Sequence, residues 1–383
     1  MVVDAAWMKR NLGFDPTALR IPKSTFAYQA AAKSYAPEDL EREIIDFDSE
    51  APAGKEFLSF TTATGLSRFQ EIPWPRGMAP KTATTAGKGR GGRLPKADVL
   101  VVAWTVDEGH ATSRVLTPGK DSKTDYAPYK RNFAKLAKEM RKGCPALLAG
   151  RLGSYWRTTI NGNSVVVFKS ESHLSQDGPQ APNVKVWQQI IEDVDPKLVL
   201  TTGTGGGIGK QFEVGDVILS PVVHFDCLKK FKAKFGTEPP FFSAAPHAKY
   251  LATAKQLFKT NSDQLPKDNT RAPRIVRVRQ KQVPSSVVTT DFFGFDTSSN
   301  YYKLQGLGDL SEMGDAVLGL VCAQMGSSAP RWLAVRNVSD PQIKSAGLTL
   351  RQQANMAAQI YKGFGRWSTV CSAIVCWALI AAE

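Results

Sequence analysis

The chain has 383 residues, 42% of them hydrophobic and 22% charged, with a formal net charge of +14. That is ample material for a large core and excludes a disordered chain, while the basic excess favours an anionic partner: nucleic acid, a phosphorylated small molecule or an acidic protein. Five cysteines, at positions 144, 227, 322, 371 and 376, form no CxxC pair and predict neither a disulfide framework nor a zinc site, which suits a reducing cytoplasm.

Residues 1–74 carry short helical signals, such as Pro37–Ile45, and aromatic residues without a clear period; the start MVVDAAWMKRNLGFDP has no apolar signal core. Residues 75–96, ending in GKGRGGRLPK, read as a basic, glycine-rich tether, with a nucleic-acid tail as the less favoured alternative because aromatic interleaving is poor. A compact catalytic domain is expected over 97–383. It opens on the apolar run Asp98–Ala103, suited to a buried strand, with Trp104, Thr105, Val106, Asp107 and Glu108 behind it. A carboxylate just past the carboxyl end of a buried strand stands where open α/β sheets place chemistry, and it also suits a helix cap.

The spacing of Phe133, Leu136, Ala137 and Met140 predicts an amphipathic helix over 128–142. Asn161-Gly162 between two β-rich runs predicts a type I′ hairpin, because both residues accept positive φ. A helix over 183–194 should lead through Asp195-Pro196 into a strand at 197–202. Gly203, Gly205, Gly206 and Gly207 then predict a glycine loop, followed by a second strand from Val214. The loop does not fit the dinucleotide fingerprint, since a strand and not a helix follows it.

Residues 223–285, rich in Lys and Pro, read as an insertion or lid, and no His/Cys/Asp cluster there or elsewhere has metal-ligand spacing. Thr289-Thr290-Asp291-Phe292-Phe293 suits either a strand with alternating aromatics or a segment presenting one ring to a ligand. Ser311-Glu312-Met313-Gly314-Asp315-Ala316 opens an apolar helix to Gln324. Trp332–Val338 is a strand ending in Ser339-Asp340, and Val370–Ala382 is too short to span a bilayer and reads as a buried terminal helix.

Thr202-Gly203-Thr204-Gly205-Gly206-Gly207 with Val214-Gly215-Asp216-Val217, the Thr289–Phe293 segment, the Glu312-Met313 motif and Arg336-x-x-Ser339-Asp340 occur in one order. Together they resemble the nucleoside phosphorylase and nucleosidase superfamily, the one containing methylthioadenosine/S-adenosylhomocysteine nucleosidase. The resemblance implies a three-layer α/β sandwich with a mixed central sheet, a homo-oligomer and no cofactor. It implies Asp340 as the acid that protonates the base, Ser339 as its positioner and Glu108 as activator of water. Arg336 and Thr204 would order the nucleophile region, Gly205 and Gly206 would line the pocket, and Phe293, beside Asp291, would stack on a purine. The chain departs from the family at Gly314, where the motif has a ribose-gripping glutamate after Met313; Glu312 and Asp315 are the candidates to replace it.

Cleaving an N-glycosidic bond needs a proton on the base and a nucleophile at C1′. Val-Asp-Glu after the first strand is acidic where a phosphate site would be cationic, so hydrolysis is expected ahead of phosphorolysis. The altered Met-Gly-Asp motif leaves open a nucleotide-binding sensor without turnover. Cations at Lys229–Lys234, Arg274, Arg277, Arg279 and Lys281 suggest a phosphorylated purine nucleotide, against a neutral nucleoside.

Overall fold

The computed structural model describes residues 1–16, 69–83, 92–244, 247–278 and 286–383. Among the described residues, thirteen strands form one mixed sheet: β1 Lys81–Ala83, β2 Val99–Ala103, β3 Ala127–Tyr129, β4 Gly153–Ile160, β5 Asn163–Ser170, β6 Leu198–Gly207, β7 Val217–Ser220, β8 Val222–Asp226, β9 Phe241–Phe242, β10 Ile275–Arg277, β11 Val287–Thr290, β12 Leu310–Glu312 and β13 Arg331–Asp340. The order β1-β4-β5-β2-β6-β12-β11-β8-β9 forms the main path, with β13 joining β6 to β7. Because β2, β6 and β13 are parallel, their carboxyl ends gather at one edge.

Successive residues of a strand point to opposite faces, and here both faces are covered. Val99, Val101, Leu198, Leu200, Leu333 and Val335 enter one core, whereas Leu100, Val102, Val199, Trp332, Ala334 and Val338 enter the other. The helices, in chain order, are α1 Ala5–Leu12, α2 Val106–Leu116, α3 Phe133–Leu136, α4 Pro145–Ala149, α5 Leu174–Asp177, α6 Asn183–Val194, α7 Lys229–Phe235, α8 Leu251–Leu257, α9 Asp315–Met325 and α10 Leu350–Ala382. Buried residues of α1, α2, α8 and α10 fill the first core and those of α6 and α9 the second, which gives the three-layer α/β sandwich.

The hairpin forms as its turn chemistry requires, with φ 48° at Asn161 and 89° at Gly162 joining β4 to β5. Helix α6 covers the stretch expected of it. The helix expected over 128–142 does not form as one element. Residues 127–129 pair with β4, Asn132 sits at φ 55°, and one turn of α-helix and a 3-10 turn follow, although Leu136 and Met140 still reach the core. Pro128 and left-handed Asn132 interrupt the helix before it can propagate.

Two further expectations change. The glycines do not loop: β6 runs extended and buried through Gly207, because β13 pairs with it through Gly206 and β12 pairs with Gly206 and Gly207. The terminal helix begins at Leu350, behind a Thr349/Gln352 capping box, and has 33 residues. It is the one described helix long and apolar enough to cross a membrane, but 94% of that stretch is buried within the protein, as in a core helix.

The N-terminal segments, where described, belong to the same body. Val3 bridges to Ile343, Trp7 meets Phe364 edge-on, Trp377 donates to Met78 O at 2.7 Å, and β1 pairs with β4. The region read as an insertion supplies β8, β9 and β10 to the sheet. Pro37–Ile45, the glycine-rich stretch through position 91, Arg279 and Lys281 lie outside the described residues.

Candidate active site

At the gathered carboxyl ends lies a narrow cavity of about 90 Å³ lined by Glu108, Thr204, Gly205, Gly206, Phe293, Glu312, Met313, Arg336, Ser339 and Asp340, ten of the twelve residues singled out from the sequence. The other two stand elsewhere. Asp291 is buried with Oδ1 accepting from Leu228 N at 2.8 Å, and Asp315 lies behind the wall, tied to Arg336.

Glu108 is the N3 residue of α2, and its two possible roles coincide. Oε2 accepts from the N–H groups of Trp104 (2.9 Å) and Thr105 (3.0 Å), closing a capping box, while Oε1 accepts from Thr204 N (2.8 Å) and Thr204 Oγ1 (2.6 Å). The cap therefore fixes a carboxylate at the cavity wall. Gly203 makes room for it: at φ 137°, a Cβ there would lie 2.3 Å from the Glu108 carboxyl carbon.

Asp340 has a different environment. The register of β13 against β6 shifts between Val338 and Asp340, an irregularity of the kind that re-aims a side chain. Ser339 Oγ donates to Oδ1 at 2.7 Å, and Oδ2 is buried with no hydrogen-bond partner among the described residues. Burial pushes the carboxyl up to about 7, against the lowering effect of Ser339. Gly206 borders Oδ2 so closely that a Cβ there would lie 3.0 Å from it.

Arg336 lines the same cavity, buried and committed. Its Nε and Nη2 donate to Asp315 at 2.8 and 2.6 Å, Nη2 also to Glu312 Oε2 at 3.2 Å, and Nη1 lies 4.0 Å from Glu108 Oε1. Glu312 further accepts from Thr289 Oγ1, Gly314 N (2.6 Å) and Asp315 N (2.9 Å). Burial, then the nearby Asp315, push its carboxyl up to about 8. Both acids considered as a replacement for the missing glutamate are thus engaged by Arg336. The place a side chain at 314 would fill is taken by Trp104: a Cβ on Gly314 would come within 2.9 Å of the indole, and the Arg336 guanidinium lies 4.5 Å from a Trp104 ring centroid.

Of the two consecutive phenylalanines, Phe292 is buried against Tyr302 and Phe293 lines the cavity, just beyond the end of β11. Sequence reasoning missed Trp104, Thr105, His173, Ser175, Gln176, Thr290, Gly294, Ser311 and Tyr361, which complete the lining. His173, Ser175 and Gln176 come from a turn after β5 with no motif to mark it. Among the described residues, the cations expected to attract a phosphate are also placed elsewhere. Arg274 binds Asp216, Lys234 Nζ donates to Pro179 O and Ala181 O, and Arg277 lines a separate small cavity.

A buried cavity lined by two carboxylates, one ringed by donors and one held toward its neutral form, defines a site for acid–base chemistry on a bound ligand. The profile of the phosphorylase superfamily matches residues 126–364, and the chain belongs to that superfamily. Among solved structures it is similar to 5′-methylthioadenosine/S-adenosylhomocysteine nucleosidase from Neisseria meningitidis in complex with methylthio-immucillin-A (16% identity, covering 75% of this chain and 100% of that one, TM-score 0.44). It is similar too to the Helicobacter pylori nucleosidase with butyl-thio-DADMe-Immucillin-A (14%, covering 75% and 98%, TM-score 0.46). Futalosine hydrolase of Helicobacter pylori strain 26695 gives 12% identity, coverage of 74% and 96%, and a TM-score of 0.45. No curated protein matches the sequence.

Proposed function

We propose that this protein hydrolyses the N-glycosidic bond of a purine nucleoside or nucleotide and releases the free base. The observation that carries the reading is Asp340, a buried carboxyl pushed up to about 7 with an oxygen unpartnered among the described residues, lining the same cavity as a carboxylate fixed by four donors. As the C1′–N bond breaks, its electron pair passes to the base and a ring nitrogen takes the Asp340 proton. A water oxygen bonds to C1′ as Glu108 accepts the water's proton. Ser339 holds Asp340 in place, and Phe293 offers a ring face to the base.

Water is favoured over phosphate by the charges around the nucleophile. Glu108 lines the cavity, and Arg336, the lining guanidinium, already serves Asp315 and Glu312. The test is incubation with purine nucleosides and nucleotides, with and without inorganic phosphate, followed by chromatography of base and sugar. Free base with an unphosphorylated C1′ is expected in both buffers. A sugar 1-phosphate as the sole product would replace hydrolysis by phosphorolysis, and binding with no base released would make the protein a sensor.

A further inference from the structure

A second, larger cavity of about 570 Å³ lies on the other side of the first turns of α2. Thr105 and Glu108 face the cavity described above, Val106, Gly109 and His110 face this one, and Gln176 lines both. Its walls carry five cationic side chains, Lys123, Arg141, Lys142, Arg151 and Lys169, and one carboxylate, Glu171. Arg151 Nη2 and Lys169 Nζ both bind Glu171, so that acid offsets one charge of two and leaves a large local excess. The remaining titratable side chains do not counter it: burial holds His110 down to about 4 and lifts the Cys144 thiol to about 11, so both are neutral near pH 7.

The cluster is built into the fold. The Lys169 stem lies against α2 where a Cβ on Gly109 would come within 2.7 Å of it, and Arg151 stacks on Tyr126 at 4.8 Å. Arg141 Nη1 is buried and has no hydrogen-bond partner among the described residues, although a buried donor left unpaired is costly. A neutral nucleoside leaves all of this unused, whereas phosphoryl oxygens accept several charge-assisted hydrogen bonds at once and match a guanidinium fork.

We propose that the second cavity is an anion subsite that holds a phosphoryl chain attached to the sugar of the substrate, with Arg141, Lys142 and Lys123 as its ligands. The proposal rests on the nucleosidase reading for what the first cavity does. Base and acid meet at Asp340, so the sugar end of the ligand points toward Glu108 and Gln176, where the two cavities adjoin. The spread of five cations suits more than one phosphoryl group. Of the cations after β8 that the sequence suggested for this task, Lys232, Lys234, Arg274 and Arg277 do not line this cavity.

Two measurements test the subsite. The first compares kcat/KM for adenosine, AMP and ATP at low and high salt, in the wild type, in Arg141→Gln and in the exposed pair Lys123→Ala/Lys142→Ala, whose substitution spares the core. The expected result is at least a tenfold preference for a phosphorylated substrate at low salt, shrinking as salt rises and falling about tenfold in either variant. The second is calorimetry with inorganic tripolyphosphate, which should bind the wild type and bind both variants at least tenfold more weakly. Adenosine cleaved as well as AMP and ATP at every salt, or tripolyphosphate binding that is absent or untouched by the substitutions, would overturn the subsite. If no substrate releases base, the nucleosidase reading fails and the calorimetry alone decides the subsite.

Discussion

Replacing Asp340 by Asn separates the chemistry of this carboxyl from its packing. Asn has nearly the same shape, and its amide oxygen still accepts from Ser339 Oγ, now 2.7 Å from Oδ1, but it supplies no acidic proton. Turnover should fall by about two decades or more, the usual contribution of a positioned general acid. Stability should move the other way. The native carboxyl titrates near 7 against 3.8 when unperturbed, so the folded state binds the proton more tightly than the unfolded one. At about 1.4 kcal/mol per unit, full ionisation costs the native fold up to ~4 kcal/mol.

The sign follows from that difference. Below about pH 4 both states are protonated and the wild type pays no penalty, whereas between 4 and 7 its stability declines as pH rises. The Asn variant does not titrate, so it should gain on the wild type from pH 4 to pH 8. Glu312, with its own raised value, is present in both proteins and cancels in the comparison. Urea midpoints at pH 5 and pH 8, together with base release, test both halves, and wild-type kcat should fall above about pH 7 as the acid ionises. A stability difference that does not change with pH, with turnover retained, would refute the argument.

Glu108→Gln keeps the shape of the cap and removes the base; free-sugar formation should drop about a hundredfold or more while ligand binding persists, read by product analysis and calorimetry. Gly203→Ala places a Cβ 2.3 Å from the Glu108 carboxyl carbon at φ 137°, and should cost about 1–3 kcal/mol in a denaturation midpoint as well as turnover. Phe293→Ala should raise KM about tenfold with a smaller change in kcat, as loss of one base-stacking ring does. Gly314→Ala pushes on the Trp104 indole and, through it, on Arg336, and should alter KM measurably in steady-state kinetics while leaving the far-UV spectrum intact.

The parts of the fold legible in the sequence were those whose local chemistry agrees with their surroundings. Asp98–Ala103 is apolar throughout and lies inside the sheet, Asn161-Gly162 can hold the turn it occupies, and 183–194 has a helical stripe facing a core. The glycines misled because glycine argues against a strand by propensity, while ladder partners from β12 and β13, distant in sequence, overrode it. Likewise Pro128 and Asn132 broke a helix whose apolar spacing was sound. Side chains within motifs, such as Glu108 and Asp340, could be placed in advance. His173, Gln176 and Tyr361 could not, since only the folded sheet brings a turn after β5 and one face of α10 to the same cavity.

A motif matched residue by residue can still mislead about contacts. Glu312 and Asp315 flank the position of the missing glutamate, and from spacing alone either suits a sugar hydroxyl. In the folded protein Arg336 takes up both, since a buried guanidinium needs carboxylates more than a solvated hydroxyl does. The bare backbone at Gly314 then gives its space to Trp104, which the arginine stacks upon. One absent side chain is thereby met by an indole from the end of β2, and the wall of the cavity changes from a hydrogen-bonding surface to an aromatic one. On the nucleosidase reading proposed above, contacts to the sugar fall to other lining residues, and His173, Ser175 and Gln176 are polar members of that lining, with Gln176 shared with the second cavity.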